Sequence, residues 1–235
     1  MKKLFELPLL AVFPKRCAYC GKPVASDRPS CKSCEAQLPR IKGDICPLCG
    51  REEEYCSCRG ATYYNGMAAP FYYEGCVRRG MHIFKFRRNP KSAQAFGEEA
   101  AKAVMKRFAD KKFDMIISVP LTEKRLKERG YDQCALIAKE ISDRTEIPFI
   151  PDVIKKIYET DKQHGLSYYL RKGNLTGVFD IESRETVENK TVLLCDDIST
   201  SGETMDECAK MLWLCGAKEV YCIAVAITKM KKKKK

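Results

Sequence analysis

The sequence contains no apolar run of the kind that crosses a membrane: such a helix needs about 20 consecutive apolar residues, and no stretch approaches that length. It also lacks the pattern of a secretory signal. Glu6 and Pro8 interrupt the early apolar residues, and Lys15 and Arg16 precede Cys17, where small residues would be needed. We therefore expect a cytoplasmic protein that does not insert into membranes and keeps its thiols reduced.

Histidine, the most frequent acid–base catalyst, is scarce, with two in the chain. We assign no role to His82, and we interpret His164 as a solvated loop residue rather than as a catalyst. The sequence therefore identifies no catalytic side chain.

The formal charge of +12 suggests nucleic-acid binding, but its distribution weakens that interpretation. Lys229 and the five lysines at 231–235 carry six of the charges, in a terminal segment that we interpret as having no apolar partner. Zinc-bound thiolates near the other end would offset much of the remainder, so the folded part is close to neutral and strong nonspecific DNA affinity is not expected. We favour a solvated lysine segment and leave open an anion-binding arm.

Cysteine is abundant, with 14 in the chain, and eight of them fall in close pairs between residues 17 and 58. Paired thiolates on tight turns present two sulfurs to a tetrahedral ion, and two pairs close a structural zinc site. We predict two zinc ions bound by sequential groups of four, with a cross-braced pairing as the alternative. The predicted ligands are Cys17, Cys20, Cys31, Cys34, Cys46, Cys49, Cys56 and Cys58. The other six cysteines lie mostly on apolar faces and are expected in the core.

The most informative segment runs from residue 191 to 204, where an apolar run is followed by Asp196, Asp197 and a short loop rich in hydroxyl residues. This pattern predicts a buried strand and a phosphate cradle at a helix N-terminus, with Gly202 allowing close approach of the backbone. Carboxylates beside the cradle could accept hydrogen bonds from sugar hydroxyls. No lysine follows Gly202, which excludes a Walker loop. Too little chain follows Asp197 for a receiver domain. An ordinary strand–turn–helix remains open.

The rest of the chain alternates predicted helices (92–109, 132–144 and 203–215) with predicted strands (114–119, 191–195 and 219–227), which is typical of an α/β fold with a mostly parallel sheet. Residues 67–86 mix aromatic residues and β-formers and are expected to cover the sheet. The basic, aromatic segment 81–88 is interpreted as a short edge strand or helix, with base stacking as the alternative. Basic residues after the strand at 114–119 include Lys124 and Arg125, at the edge where ligands bind in open α/β sheets. We expect them to bind pyrophosphate, with a solvated charged loop as the alternative.

Four features in this order resemble the ComF family: the paired cysteines, Val119-Pro-Leu with Arg129-Gly-Tyr-Asp-Gln133, a segment from Gln163 to Phe179, and the loop after Asp197. The resemblance implies a double zinc ribbon before a type I phosphoribosyltransferase-like domain, and a link to DNA uptake in natural transformation. We accordingly predict a ribbon at 1–60, a transferase-like domain at 61–228 and a basic tail at 229–235. Asp132 stands where the family usually has Asn, and Ser199 where an aliphatic residue is usual.

The resemblance also implies phosphoribosyl pyrophosphate, carried with magnesium, as the ligand, and a mobile hood by position at 160–174. Two functions remain open: a phosphoribosyltransferase, or a non-catalytic ribose-phosphate sensor or scaffold whose zinc ribbon binds single-stranded DNA or competence proteins. The residues predicted to bind the ligand are Asp196, Asp197, Thr200, Ser201, Gly202, Glu203, Thr204, Lys124 and Arg125.

Overall fold

The protein is described from a computed structural model, which covers residues 15–25, 28–56, 58, 62–87, 89–156, 179–181 and 183–230. The predicted hood at 160–174, including His164, and the lysines at 231–235 lie outside these residues. Within the described part, no helix has the length and apolar character needed to cross a membrane.

A five-stranded parallel sheet forms the centre of the protein. Its strands are β1 (Gly66–Ala68), β2 (Phe71–Tyr72), β3 (Met115–Ser118), β6 (Thr191–Ser199) and β7 (Glu219–Ile227). The order is β1–β7–β6–β3, with β2 also paired to β7. Leu194 of β6 pairs with Ile117 of β3 and Cys222 of β7, which fixes the register at the centre. Two further strands, β4 (Ile154–Lys156) and β5 (Phe179–Ile181), form a separate antiparallel pair.

Helices cover both faces of the sheet. They are α1 (Lys32–Ala36), α2 (Gly75–Phe86), α3 (Ser92–Arg107), α4 (Glu123–Arg129), α5 (Gln133–Thr145) and α6 (Glu203–Leu214). Leu193 and Cys195 of β6 belong to one core cluster, which holds α2, α3 and α5. Val192 and Leu194 belong to the other, with α6. Because successive strand side chains point to opposite faces, an unbroken apolar run is what such a doubly covered strand requires.

The fold agrees with the predicted α/β architecture, and each predicted helix and strand is present within a few residues. One difference matters for function. Strand β6 runs on to Ser199, so Asp196 and Asp197 lie within the strand instead of following it. Residues 67–86 form two short strands and then α2, and the described part of the segment 81–88 is helical at 81–86. The helix that the interpretation allowed is therefore present there, but its charges are not all solvated, since Lys85 is mostly buried beside Asp197.

Two cysteine clusters hold the N-terminal region. Cys17, Cys20, Cys31 and Cys34 form one, and Cys46, Cys49, Cys56 and Cys58 form the other; within each, the sulfur atoms lie within 4.8 Å of one another. This is the sequential grouping predicted from the spacing. Gly21 and Gly50 follow the first pair of each cluster with φ of 75° and 68°, a left-handed turn that glycine adopts without strain. Four soft sulfur ligands per site fit a closed, structural zinc site.

The clusters and the transferase-like domain share a core. Cys17 and Tyr19 are buried in the same cluster as Phe96 of α3, and the Tyr19 and Phe96 rings meet edge to face at 5.5 Å. Gly80 of α2 allows this contact, because a Cβ there would lie 2.7 Å from the carbonyl oxygen of Ala18. The remaining cysteines are buried as expected: Cys76, Cys134, Cys195, Cys208, Cys215 and Cys222.

One interpretation of the C-terminal segment was wrong. Lys229 was grouped with the terminal lysines as lacking an apolar partner, yet its ammonium lies 4.6 Å from the ring centroid of Tyr72 and 2.9 Å from a carboxylate oxygen of Glu74. Lysine carries a long apolar stem that packs on rings while its charge finds a partner. The ordered chain therefore reaches at least this residue.

We predict that the purified protein holds two zinc ions and that a chelator removing them lowers its melting temperature, with recovery when zinc is returned. A structural zinc site contributes on the order of 10 kcal/mol to the stability of its module. Cys46→Ser should cost one ion by elemental analysis, whereas Cys76→Ser, a buried cysteine outside both clusters, should retain two. An unchanged melting curve in metal-free protein would contradict the prediction.

Candidate anion-binding site

The loop between β6 and α6 leaves backbone donors free. Gly202 precedes α6 with φ of 92° and has no side chain to cap the helix, while the hydroxyl of the neighbouring Ser201 accepts the Glu203 N–H at 3.4 Å. The first N–H groups of a helix have no carbonyl partner within it, and together with the helix dipole they favour an anion. Glu203 and Asp206 in the first turn oppose this effect in part. The local sequence thus forms the loop and helix start at which the phosphate cradle was predicted.

A cavity of about 30 Å³ lies at this helix start. It can hold one water-sized polar group, such as one corner of a larger anion. Its lining comes from the end of β6, the loop and the first turn of α6: Asp196, Ile198, Ser199, Thr200, Ser201, Gly202, Thr204 and Met205. Four of the predicted loop residues therefore meet at one cavity, together with Asp196.

Ser199 contributes a buried hydroxyl to the lining of this cavity. Its hydroxyl is buried and finds no hydrogen-bond partner within the described residues. A Cβ at Gly202 would lie 3.5 Å from the Tyr64 hydroxyl and 4.0 Å from Ser199 Oγ. A side chain at this position would therefore extend into the space beside the Ser199 hydroxyl. Because a buried hydroxyl without a partner is costly, the arrangement calls for a polar group in the cavity.

The two acids that precede the loop are buried and already partnered. Asp196 is 9% exposed and Asp197 5%. Lys85 Nζ lies 2.9 and 2.8 Å from the two carboxylate oxygens of Asp197. The Asp197 N–H donates to Asp196 Oδ1 at 2.7 Å, and the Cys134 thiol donates to the same oxygen at 3.3 Å. Both acids were predicted to accept hydrogen bonds from sugar hydroxyls. In the structure Lys85 neutralises Asp197, and Asp196 is the one that lines the cavity.

Burial, together with the charge of Asp197, raises the pKa of Asp196 to about 7. Burial also raises the pKa of the Cys134 thiol well above its usual value, so this thiol stays protonated and remains a donor. The ionisation of the site therefore changes near neutral pH, at Asp196.

Sequence reasoning missed Lys85 as a site residue. Its contact with Asp197 joins residues 112 apart in sequence, which no local pattern reveals. A signal did exist. Lys85 follows Met81 by one helical turn and lies next to Phe84, both fully buried, so helical spacing puts the lysine on the inward side of α2. A lysine on a buried helix face requires an acidic partner.

Lys124 and Arg125 lie on the first turn of α4, are exposed, and do not line the cavity. They share the carboxyl-terminal edge of the sheet with the loop, because β3 and β6 are parallel neighbours. Thr122 caps this helix by accepting from the Arg125 N–H at 3.1 Å, and Asp132 caps α5 by accepting from the Ala135 N–H at 2.9 Å.

Arg129, at the end of α4, is buried, unlike Lys124 and Arg125. Its guanidinium donates to Gln133 Oε1 at 2.6 Å and lies 5.8 Å from the ring centroid of Phe86. Tyr131 donates its hydroxyl to the Phe84 carbonyl. In the described structure, the segment from Arg129 to Gln133 therefore mainly holds α2 and α5 together through these contacts.

Comparison with known proteins agrees with both halves of the chain. Residues 9–64 match the double zinc ribbon domain family, and residues 85–235, more than half of the chain, match the phosphoribosyl transferase domain family. Competence protein ComFC of Bacillus subtilis is 26% identical over 197 residues, covering 79% of this chain and 78% of that protein. DNA utilization protein YhgH of Salmonella typhimurium is 27% identical over 221 residues, covering 89% and 96%.

Other similarities are partial. Competence protein F of Haemophilus influenzae is 33% identical over 114 residues, which is 48% of this chain and 50% of that protein. Among solved structures, the allosteric regulatory enzyme of purine biosynthesis matches with a TM-score of 0.42 and 19% identity, over 61% of this chain and 30% of that one. With a zinc ribbon followed by a phosphoribosyltransferase domain, and with these relatives along most of its length, the chain belongs to the ComF family.

Proposed function

We propose that this protein binds phosphoribosyl pyrophosphate, with the 5-phosphate at residues 199–204. The observation that carries the proposal is the cavity at the uncapped start of α6, where the buried Ser199 hydroxyl has no partner in the described part of the chain. Backbone N–H groups of the loop and the hydroxyls of Thr200, Ser201 and Thr204 would bind the phosphate. Glu203 would contribute its N–H, which in the described structure donates to the Ser201 hydroxyl at 3.4 Å.

In this proposal Asp196 accepts hydrogen bonds from the ribose hydroxyls, while Asp197 shapes the site through Lys85. Lys124 and Arg125, long and exposed at the same edge, would reach the diphosphate. Magnesium would be held mainly by the oxygens of the diphosphate and by water. A resident metal fits this pocket poorly, because Lys85 already neutralises Asp197 and the pKa of Asp196 is raised.

If the protein is a transferase, its residues act by positioning and by stabilising charge. The reacting sugar carbon becomes positively charged as diphosphate leaves, and Asp196 would lie beside that charge while the basic residues of α4 receive the leaving group. No general base for an acceptor is identified within the described residues. The names of the competence and DNA utilization relatives support a role for this activity in handling incoming DNA.

A second candidate is a ribose-phosphate sensor or scaffold that binds single-stranded DNA or competence proteins. A cleft of about 830 Å³ between the ribbon region and α3 favours it. Its lining includes five cations and three acids: Arg40, Lys42, Lys102, Lys106, Arg107, Asp44, Glu53 and Glu99. DNA binding that persists after deletion of residues 231–235 would support this candidate, and binding lost on that deletion would count against it.

We predict that Thr204→Val weakens the binding of phosphoribosyl pyrophosphate, measured by calorimetry with magnesium present. The substitution keeps the side-chain shape and removes a hydroxyl at the cavity; a hydrogen bond to a charged group contributes about 1.5 kcal/mol or more, which is about tenfold in Kd. Thr145→Val, at the end of α5, is the matched control and should bind as the parent does. Equal affinities for the two variants would contradict the assignment, and no heat with the parent protein would overturn the proposed function.

Transferase and sensor differ in pyrophosphate release. We expect a transferase to release pyrophosphate from the activated sugar when supplied with its acceptor, and a panel of nucleobases and simple amines covers the common acceptor classes. Release above background that is lost in Asp196→Asn supports the enzyme. Tight binding without release from any member of the panel favours the sensor.

The ionisation of Asp196 predicts a pH-dependent stability. Its pKa rises from 3.8 to about 7 on folding, so this carboxyl stabilises the fold at low pH and the contribution is lost as pH rises through 7. Each pH unit in that interval costs up to about 1.4 kcal/mol. The melting temperature of the parent protein should therefore fall relative to that of Asp196→Asn between about pH 4.5 and 7.5.

The matched control for this titration is Asp143→Asn, which alters an exposed acid on α5 paired with Lys139. Its melting temperature should run parallel to that of the parent protein over the same interval. Parallel curves for Asp196→Asn as well would show that Asp196 keeps an ordinary pKa.

A further inference from the structure

We infer that Arg51 is a positioning residue for the anion loop, through which the second cysteine cluster supports ligand binding; the binding part of this inference rests on the proposed function. Arg51 comes from the ribbon region and is 3% exposed. Its Nη2 donates to the Thr200 carbonyl at 2.6 Å and its Nε to the Thr228 carbonyl at 2.8 Å. One side chain thus joins the ribbon to the loop's first residue.

The second cluster fixes the backbone of Arg51. Its carbonyl accepts the N–H of Cys46 at 2.8 Å, and Gly50 N–H donates to the Cys46 carbonyl at 3.1 Å. The same turn packs against β1 so closely that a Cβ on Gly50 would lie 2.9 Å from the Met67 carbonyl oxygen. Because the turn is held by sulfur ligands on one side and by the sheet on the other, Arg51 reaches the loop from a rigid base.

The contact sets the direction of a peptide group in the loop. The Thr200 carbonyl accepts from Arg51 and also from Thr228 Oγ1 at 3.0 Å, and the Thr228 N–H binds the Ser199 carbonyl at 3.1 Å. In a planar trans peptide, C=O and N–H point in opposite directions. Turning the Thr200 carbonyl toward Arg51 therefore directs the Ser201 N–H to the other side, and both residues line the cavity.

The charge of Arg51 acts in the same direction. Its hydrogen bonds go to carbonyl oxygens, and no carboxylate pairs with it among the residues that the structure describes. A buried cation without an acid is costly, and a phosphate in the neighbouring cavity would reduce that cost. The guanidinium of Arg51 thus orients the Thr200 peptide group through its paired hydrogen bonds to the Thr200 and Thr228 carbonyls, and its positive charge attracts the phosphate. A lysine keeps the charge but not the paired hydrogen bonds.

A second arginine contacts the ribbon region at a different place and supplies a control. Arg107 of α3 donates to the Ile45 carbonyl at 3.2 Å and so also joins this region to the transferase-like domain. It lines the large cleft and does not line the anion cavity. Arg107→Met removes a comparable tether without touching the loop.

The test uses the full zinc-loaded chain with Arg51→Met, Arg51→Lys and Arg107→Met. Two readouts are taken: the Kd for phosphoribosyl pyrophosphate with magnesium, and hydrogen–deuterium exchange of residues 199–206 without ligand. Losing a charge-assisted hydrogen bond should weaken binding by about tenfold or more and speed loop exchange in Arg51→Met. Arg51→Lys should be intermediate, and Arg107→Met should match the parent protein in both.

The zinc content of the variants shows whether a substitution acts on the loop alone or unfolds the ribbon region. Both Arg51 variants should retain two ions. Conversely, Cys56→Ser should lose one ion and speed exchange of the same loop although Arg51 is present. If Arg51→Met does not fold, the lysine variant decides. Unchanged loop exchange in the Arg51 variants overturns the inference, as does slow exchange in Cys56→Ser. If the parent protein fails to bind the ligand, the proposed function falls, while exchange still decides the role of Arg51.

Discussion

The burial of two adjacent carboxylates at the end of the central strand is the constraint on which the rest of the structure depends. Asp196 and Asp197 follow an apolar run that is covered on both faces, so they cannot be solvated by water as exposed acids are. They are accommodated because α2 brings Lys85 and α5 brings Cys134. These polar contacts tie the two helices to one end of the sheet, in a way that apolar packing alone would not specify.

The same strand divides the site electrostatically. Within seven residues the chain passes from the buried Asp196, whose pKa is raised, to the start of α6 after Gly202. Anionic groups are favoured at the helix end and hydrogen-bond donors at the acid end. A ligand that carries a phosphate next to neutral hydroxyls can interact with both ends of the site. A ligand with a single charged group can interact with the helix end alone. The proposal of a sugar phosphate as the ligand rests on this division.

What could be predicted from the sequence is what depends on neighbouring residues. The spacing of the cysteine pairs gave the two clusters in the correct grouping, and the order of apolar run, acids and small residues gave strand, loop and helix. The partners of the site residues come from afar: Lys85 is 112 residues from Asp197, Cys134 is 62 from Asp196, and Arg51 is 149 from Thr200. Such contacts are set by the tertiary fold. Periodicity alone identified Cys134 correctly as buried and could not indicate its hydrogen bond.

The position of the ribbon region follows from its size. A module of some 40 residues buries too little surface to be stable without help, and here the help comes from metal-binding thiols and from the transferase-like domain itself. Tyr19 extends into the core beside Phe96, and Gly50 packs on the edge strand β1. A module attached this closely cannot move independently of the sheet at these contacts. The ribbon region is therefore joined to the loop at Thr200 through a buried contact, since the Arg51 side chain reaches that carbonyl.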